Sequence, residues 1–251
     1  MKSKIQPNEF VPQSPADLLG AASKLAAAVT AHARRIKSTE ARLKSCFYGP
    51  PGTGKTSLAN MIAETLASHP LEIERTNGRN VTIEVVREWQ MQSAYRSLFG
   101  GWTIKIINEL DLVPMAAQEL MLSYLDELRP RAAIIGTSNE DTGTLSERFK
   151  SRFQLAKVSP PDQSDLNRWL VKRWKLPRSA ADWIVLSSCG NVREALLQAA
   201  SFLQFGILPE EKKNARESKP AKCASRIAAA NKYWEDVRAG LRPAPGTAVA
   251  Q

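Results

Sequence analysis

Short apolar runs alternate with amphipathic stretches through the first half of the chain. The runs at residues 43–48, 102–107 and 132–137 have the length and composition of buried strands. Helical spacing of apolar residues covers 17–37, 56–68, 84–98 and 114–128, and weaker strand patterns cover 71–74 and 81–83, on either side of an Asn77-Gly78 turn. Strands that alternate with helices in this way predict parallel βαβ units, and therefore an α/β domain of three αβα layers.

The pattern changes after Pro160-Pro161, where strand-like runs disappear. Helical segments at 162–175, 179–188 and 191–204 predict a small all-α domain, and a last helix is predicted at about 225–240. We therefore expect an N-terminal arm (1–12), an αβα nucleotide-binding domain (13–160), a helical domain (161–206), and a linker, short helix and flexible tail (207–251).

The segment 49–57, GPPGTGKTS, has the pattern G-x-x-x-x-G-K-[ST] between a predicted strand and a predicted helix, as a P-loop requires. Its glycines let backbone N–H groups curve around phosphates, and the next helix directs its positive N-terminal end at the same groups. Lys55 is expected to reach the β- and γ-phosphates of ATP, and Thr56 to bind Mg²⁺. The predicted nucleotide-binding residues of this segment are Gly49, Pro50, Pro51, Gly52, Thr53, Gly54, Lys55, Thr56 and Ser57.

The run 104–111, IKIINELD, supplies the second strand that a P-loop ATPase needs. A carboxylate at the end of that strand helps hold magnesium, and the following Glu orients the attacking water, a role expected here of Glu109. Asn108 stands at the first position and keeps a carbonyl oxygen without the negative charge. We therefore expect Asn108 to border the Mg²⁺ site and hydrolysis to be slow, with Asp111 as an alternative carboxylate.

The chain carries a formal charge of +10, which favours contact with nucleic acid or an acidic partner. From 148 to 178, nine Lys or Arg residues stand against two acids, and a solvated basic face is the alternative interpretation. No apolar run is long enough to span a membrane and the first residues do not resemble a signal peptide, so a cytoplasmic location is expected.

Further segments flank the P-loop pattern in a recognisable order. Leu19-Gly20 precedes it, and after it come Ile83-Glu84-Val85-Val86-Arg87, Asn139 after IIGTS, Ser151-Arg152-Phe153, and Gly190-Asn191-Val192-Arg193. Over about residues 12–205 the chain resembles the AAA+ ATPases, most closely the clamp-loader subunits. The resemblance implies that Leu19-Gly20 borders adenine, Asn139 contacts the γ-phosphate or the water, and Arg152 is an arginine finger, with Arg148 as the rival finger. It also implies that Arg193 senses the γ-phosphate from a helical lid and that Arg87 faces DNA.

The resemblance implies ATP and Mg²⁺ as cofactors, a homo- or hetero-oligomer in which the finger acts across an interface, and DNA or a DNA-bound protein as partner. A nucleotide-binding structural or switch subunit with little hydrolysis is one alternative, which Asn108 favours. A protein-remodelling AAA+ chaperone is another, for which Phe99-Gly100-Gly101-Trp102 would be the pore loop.

Overall fold

The computed structural model describes residues 6–93, 95, 101–139 and 145–206. A parallel sheet of five strands in the order β2-β3-β4-β1-β5 forms its centre, which confirms the predicted α/β class. The strands are β1 (Arg42–Tyr48), β2 (Ile73–Asn77), β3 (Thr103–Asn108), β4 (Ala132–Ser138) and β5 (Gln154–Lys157). The helices are α1 (Gly20–Ile36), α2 (Lys55–Leu66), α3 (Ile83–Gln92), α4 (Met115–Asp126), α5 (Glu147–Lys150), α6 (Gln163–Trp174), α7 (Arg178–Ser188) and α8 (Val192–Phe205).

Helices cover the central strands on both sides. Apolar residues of α1 and α2 pack on one face of the sheet, and those of α3 and α4 pack in a second buried cluster. Every residue of β4 is buried, as expected of a parallel strand that has a neighbour on each edge and a helix layer on each face. The order of the strands brings the ends of β1, β4 and β3 side by side, which positions the candidate site.

Several predicted boundaries were wrong. The weak strand pattern at 71–74 belongs to a strand at Ile73–Asn77, and residues 81–83 are not a strand. Thr82 instead accepts a hydrogen bond from the Val85 backbone N–H and caps α3, so the chain enters a helix there. The edge strand β5 was missed because its short, mostly exposed sequence lacks an apolar run. The predicted helix at 225–240 lies outside the described residues.

Residues 12–159 form one compact unit, and residues 6–11 together with 160–206 form another. In the second unit α6, α7 and α8 pack together, and the ring of Phe10 lies 5.6 Å from Trp169 and 5.9 Å from Trp174 between ring centroids. The guanidinium of Arg173 lies over the same Phe10 ring at 5.3 Å. Residues 7–10 therefore belong with the helices rather than standing apart as an arm.

Within the part of the chain that the structure describes, no helix is both long enough and apolar enough to cross a membrane.

Candidate nucleotide-binding site

The P-loop connects β1 to α2 and is shaped by two glycines that no other residue could replace without strain. Gly49 has φ +148°, and a Cβ there would lie 2.3 Å from the carbonyl oxygen of Val158. Gly54 has φ +94°, and a Cβ there would lie 2.8 Å from Cδ2 of Leu18. The loop is thus held between the residue after β5 and the segment that precedes α1. The adjoining Leu19 and Gly20, predicted to border adenine, form the N-terminal boundary of α1.

Lys55 opens α2 and is buried beneath the loop. Its Nζ donates hydrogen bonds of 2.8 Å to the carbonyl oxygens of Gly49 and Pro50, which draws its charge into the curve of the loop. The Thr53 hydroxyl donates to the Pro50 carbonyl oxygen at 3.0 Å and closes the turn, whereas Thr56 is exposed on the first turn of α2. A buried ammonium beside the N-terminal end of a helix, with glycines that admit no side chain, fits the phosphates of a nucleotide.

Asn108 ends β3 and is held from the neighbouring strand. Its Oδ1 accepts a hydrogen bond from the Thr137 hydroxyl of β4 at 3.3 Å, and that hydroxyl accepts one from the Glu109 backbone N–H at 3.4 Å. Thr137 therefore fixes both residues of the strand end. The arrangement requires an acceptor oxygen at position 108, and the side chain of either Asn or Asp provides one.

Glu109 has a left-handed backbone, with φ 55° and ψ 54°, which is unusual for a residue with a side chain. Its Oε2 accepts a hydrogen bond of 2.7 Å from Nδ2 of Asn77, the residue that ends β2. A Cβ at Gly78 would lie 2.1 Å from the Glu109 carbonyl oxygen, so the two turns meet closely. From the sequence, Asn77-Gly78 was predicted only as a turn, because nothing local indicates that it faces the end of β3. The conformation is consistent with a functional role, since strained residues concentrate at active sites.

Asp111 and Asn139 also meet at this edge of the sheet. An oxygen of the Asp111 carboxylate accepts a hydrogen bond from the backbone N–H of Asn139 at 3.3 Å, which leaves the Asn139 side chain exposed just beyond β4. Asp111 thus contacts the loop after β4 and holds the residue predicted to contact the γ-phosphate. Among the described residues, no group of three or more His, Cys, Asp or Glu side chains could hold a metal ion alone.

The predicted finger Arg152 follows α5 and pairs with its own chain. Its Nε and Nη2 donate to the two carboxylate oxygens of Asp126 at 3.2 and 3.0 Å. These hydrogen bonds raise the pKa of Arg152 above its ordinary value and lower that of Asp126. The rival Arg148 has an exposed side chain, and its carbonyl oxygen accepts a further hydrogen bond from Arg152.

The other predicted binding residues are exposed. Arg87 is exposed on α3 of the first unit, and Arg193 is exposed in the first turn of α8 in the second unit. The basic stretch from 148 to 178 is divided between the two units, so it is not one surface within either. In the second unit Arg168, Lys172 and Arg178 line a groove of about 690 Å³ along α6 and α7.

Comparison with known proteins identifies the class first. Residues 45–160 match the family model described as "ATPase family associated with various cellular activities (AAA)", so this part of the chain is an AAA-family domain. The match covers the second half of β1, the P-loop, β3 with the Glu109 that follows it, and the segment with Arg152.

Particular relatives come from DNA replication and recombination. The chain is 28% identical over 169 residues to a replication factor C small subunit of Haloarcula marismortui, covering 62% of this chain and 51% of that protein. It is 31% identical over 110 residues to the replication-associated recombination protein A of Haemophilus influenzae, covering 43% and 24%. The chain thus spans about half the length of the replication factor C relative and about a quarter of the length of the recombination protein.

A solved structure shares the fold. The Holliday junction branch migration motor RuvB of Thermotoga maritima superposes with a TM-score of 0.60 at 17% identity, covering 91% of this chain and 73% of that one. At this identity the likeness establishes the fold alone.

Proposed function

We propose that this chain is an ATP-binding AAA+ module that hydrolyses ATP slowly, within an assembly, and acts on DNA or on a DNA-bound protein. The observation that carries the proposal is the convergence of the P-loop, the Asn108-Glu109 strand end and Asn139 at the ends of three adjacent strands. Relatives among replication and recombination proteins support the association with DNA.

Each side chain of the candidate site has a separate proposed role. Lys55 holds the phosphates and offsets charge on the γ-phosphate, while Glu109 orients the attacking water and Asn139 completes its hydrogen bonds. Asn77 and Thr137 hold Glu109 through its side chain and its backbone. Bound Mg²⁺ would supply positive charge that offsets charge on the phosphates, and Thr56 and Asn108 are the side chains proposed to border it.

Arg152 and Arg193 are proposed to act on a nucleotide from outside the αβα domain that binds it. Arg152 acts as an arginine finger on the nucleotide of a neighbouring subunit, so hydrolysis requires assembly. Arg193 couples the position of the helical lid to the γ-phosphate. Arg87 on exposed α3 contacts DNA, and the groove with Arg168 and Lys172 adds phosphate contacts.

A second candidate function rests on Asn108 alone. Without a carboxylate at this position the chain would bind Mg·ATP and change state with little hydrolysis, as a structural or switch subunit. A protein-remodelling function would depend on an aromatic pore loop, and Phe99-Gly100 lies outside the described residues.

The deciding experiment is the steady-state ATPase rate at several protein concentrations, with and without duplex and single-stranded DNA. The proposed function predicts a rate per subunit that rises with protein concentration and increases further with DNA, and that Glu109→Gln abolishes. A measurable affinity for Mg·ATP without any hydrolysis, in both conditions, would instead establish the switch subunit. Failure to bind ATP would refute both.

A further inference from the structure

The guanidinium of Arg152 is occupied by its own subunit. Besides the two hydrogen bonds to Asp126, Nη1 donates to the Arg148 carbonyl oxygen at 3.2 Å and to the Ser151 hydroxyl at 3.1 Å. The Arg152 side chain is 31% exposed and that of Asp126 is 51% exposed, so the pair lies at the surface. Arg152 can therefore exchange partners without steric hindrance, and a neighbouring subunit can reach it.

A carboxylate and a terminal phosphate bind guanidinium in the same way. Each presents two oxygens to a pair of parallel N–H donors, and one planar guanidinium cannot give the same pair of donors to both at once. An Arg152 that is bonded to Asp126 is therefore not available to a neighbour's nucleotide. Asp126 ends α4, and Lys44 of β1 donates a hydrogen bond to the adjacent Leu125 carbonyl oxygen, so the end of the helix that carries Asp126 is tied to β1.

We propose that Asp126 is a positioning residue that holds the finger Arg152 within its own subunit until a neighbour's γ-phosphate takes its place. The inference rests on the proposed role of Arg152 across an interface. It adds that the Asp126 carboxylate competes with the neighbour's γ-phosphate for the Arg152 guanidinium. The finger then engages only where the phosphate competes successfully with the carboxylate, which distinguishes a neighbour carrying ATP from one carrying ADP.

The size of the effect follows from the exposure of the pair. Exposed ion pairs shift an equilibrium by about two- to five-fold. Asp126→Asn keeps the size of the side chain and one acceptor oxygen but removes the charge and the second charged acceptor. We therefore expect Asp126→Asn to raise turnover per assembled subunit by about two- to five-fold, at protein concentrations where assembly is complete.

The test is a double-mutant cycle of Asp126→Asn and Arg152→Ala, read as ATPase turnover with assembly measured separately by sedimentation. Arg152→Ala should lose turnover, and the double variant should be no more active than Arg152→Ala. Glu40→Gln is the matched control, because it removes the charge of another surface carboxylate that pairs with an arginine, Arg131 at 3.0 Å, and should leave turnover unchanged.

Exchange of the Arg152 Nε proton, followed by NMR on the unassembled protein, gives a second measurement that does not depend on hydrolysis. The proton should exchange several-fold faster in Asp126→Asn than in the unmodified chain. Equal exchange rates, or an Asp126→Asn variant that is folded but not faster in turnover while Arg152→Ala is inactive, would overturn the holding role alone. Full turnover in Arg152→Ala would overturn the finger role and the holding role together.

Discussion

Replacing Asn108 by Asp tests the residue that departs from the usual pattern of the site. The structure indicates that the change leaves the strand end intact, because the Thr137 hydroxyl can donate to an Asp oxygen as it does to Oδ1 of Asn108. The substitution thus isolates one negative charge beside the proposed magnesium position. Any change in rate can then be assigned to electrostatics rather than to a rearranged fold.

The magnitude follows from the strength of a hydrogen bond to a charged acceptor. Hydrogen bonds to charged groups contribute about 1.5–3 kcal/mol, against about 1 kcal/mol for neutral ones. A gain equal to this difference, about 0.5–2 kcal/mol at the transition state, would raise turnover by about 2- to 30-fold. We expect Asn108→Asp to raise kcat within this range and to lower the Mg²⁺ concentration that gives half the maximal rate.

The assay is steady-state ATP hydrolysis at saturating protein, titrated with Mg²⁺. Asn77→Asp is the matched control, because Asn77 pairs with Asn108 in the β2–β3 register but donates to the Glu109 carboxylate. A carboxylate at position 77 would repel Glu109 at hydrogen-bonding distance, so this control should lower turnover. If Asn108→Asp leaves both the rate and the Mg²⁺ requirement unchanged, the magnesium role assigned to the end of β3 is wrong.

Four further outcomes are expected. Lys55→Ala should remove most of the ATP affinity measured by calorimetry, with an unchanged circular dichroism spectrum; retained affinity would contradict the P-loop assignment. Arg87→Glu should weaken DNA binding alike for all sequences, in an anisotropy assay in which binding falls steeply with salt; salt-insensitive binding would argue against phosphate contacts. Gly78→Ala should cost about 1–3 kcal/mol of unfolding free energy in urea and lower turnover, because its Cβ would meet the Glu109 carbonyl oxygen at 2.1 Å. Burial lowers the pKa of Lys105 below its ordinary 10.5, so the folded state loses that proton at a lower pH than the unfolded state does. The free energy of unfolding should therefore increase as the pH rises from the lowered pKa to 10.5, and urea unfolding of Lys105→Met should show a smaller increase.

Local sequence predicted most of the central sheet. The strands at 43–48, 102–107 and 132–137 carry continuous apolar runs because both of their faces are buried, and the structure has strands at these places. The two outer strands were harder to locate. β2 was misplaced and β5 was missed because they are short and partly exposed, so partners in the sheet, rather than their own composition, determine where they begin and end.

The P-loop was evident from the sequence because its chemistry depends on residues that are adjacent in the chain. The spacing of Gly49, Gly54, Lys55 and Thr56 is sufficient, since one turn and the first residues of one helix hold the phosphates. The structure adds a further reason for two of these glycines, which is the close approach of Val158 to Gly49 and of Leu18 to Gly54.

Pairings between distant residues were decided by the tertiary structure alone. Asn77 lies 32 positions before Glu109 in the chain, and Asp126 lies 26 positions before Arg152, yet each pair is joined by hydrogen bonds of about 3 Å or less. No periodicity or motif in the sequence indicates such contacts, because they arise from the order of the strands and the packing of α4. The sequence determined that the chain has a phosphate-binding loop and a strand ending in Asn108-Glu109, whereas the fold decided which side chains hold Glu109 and Arg152 in place.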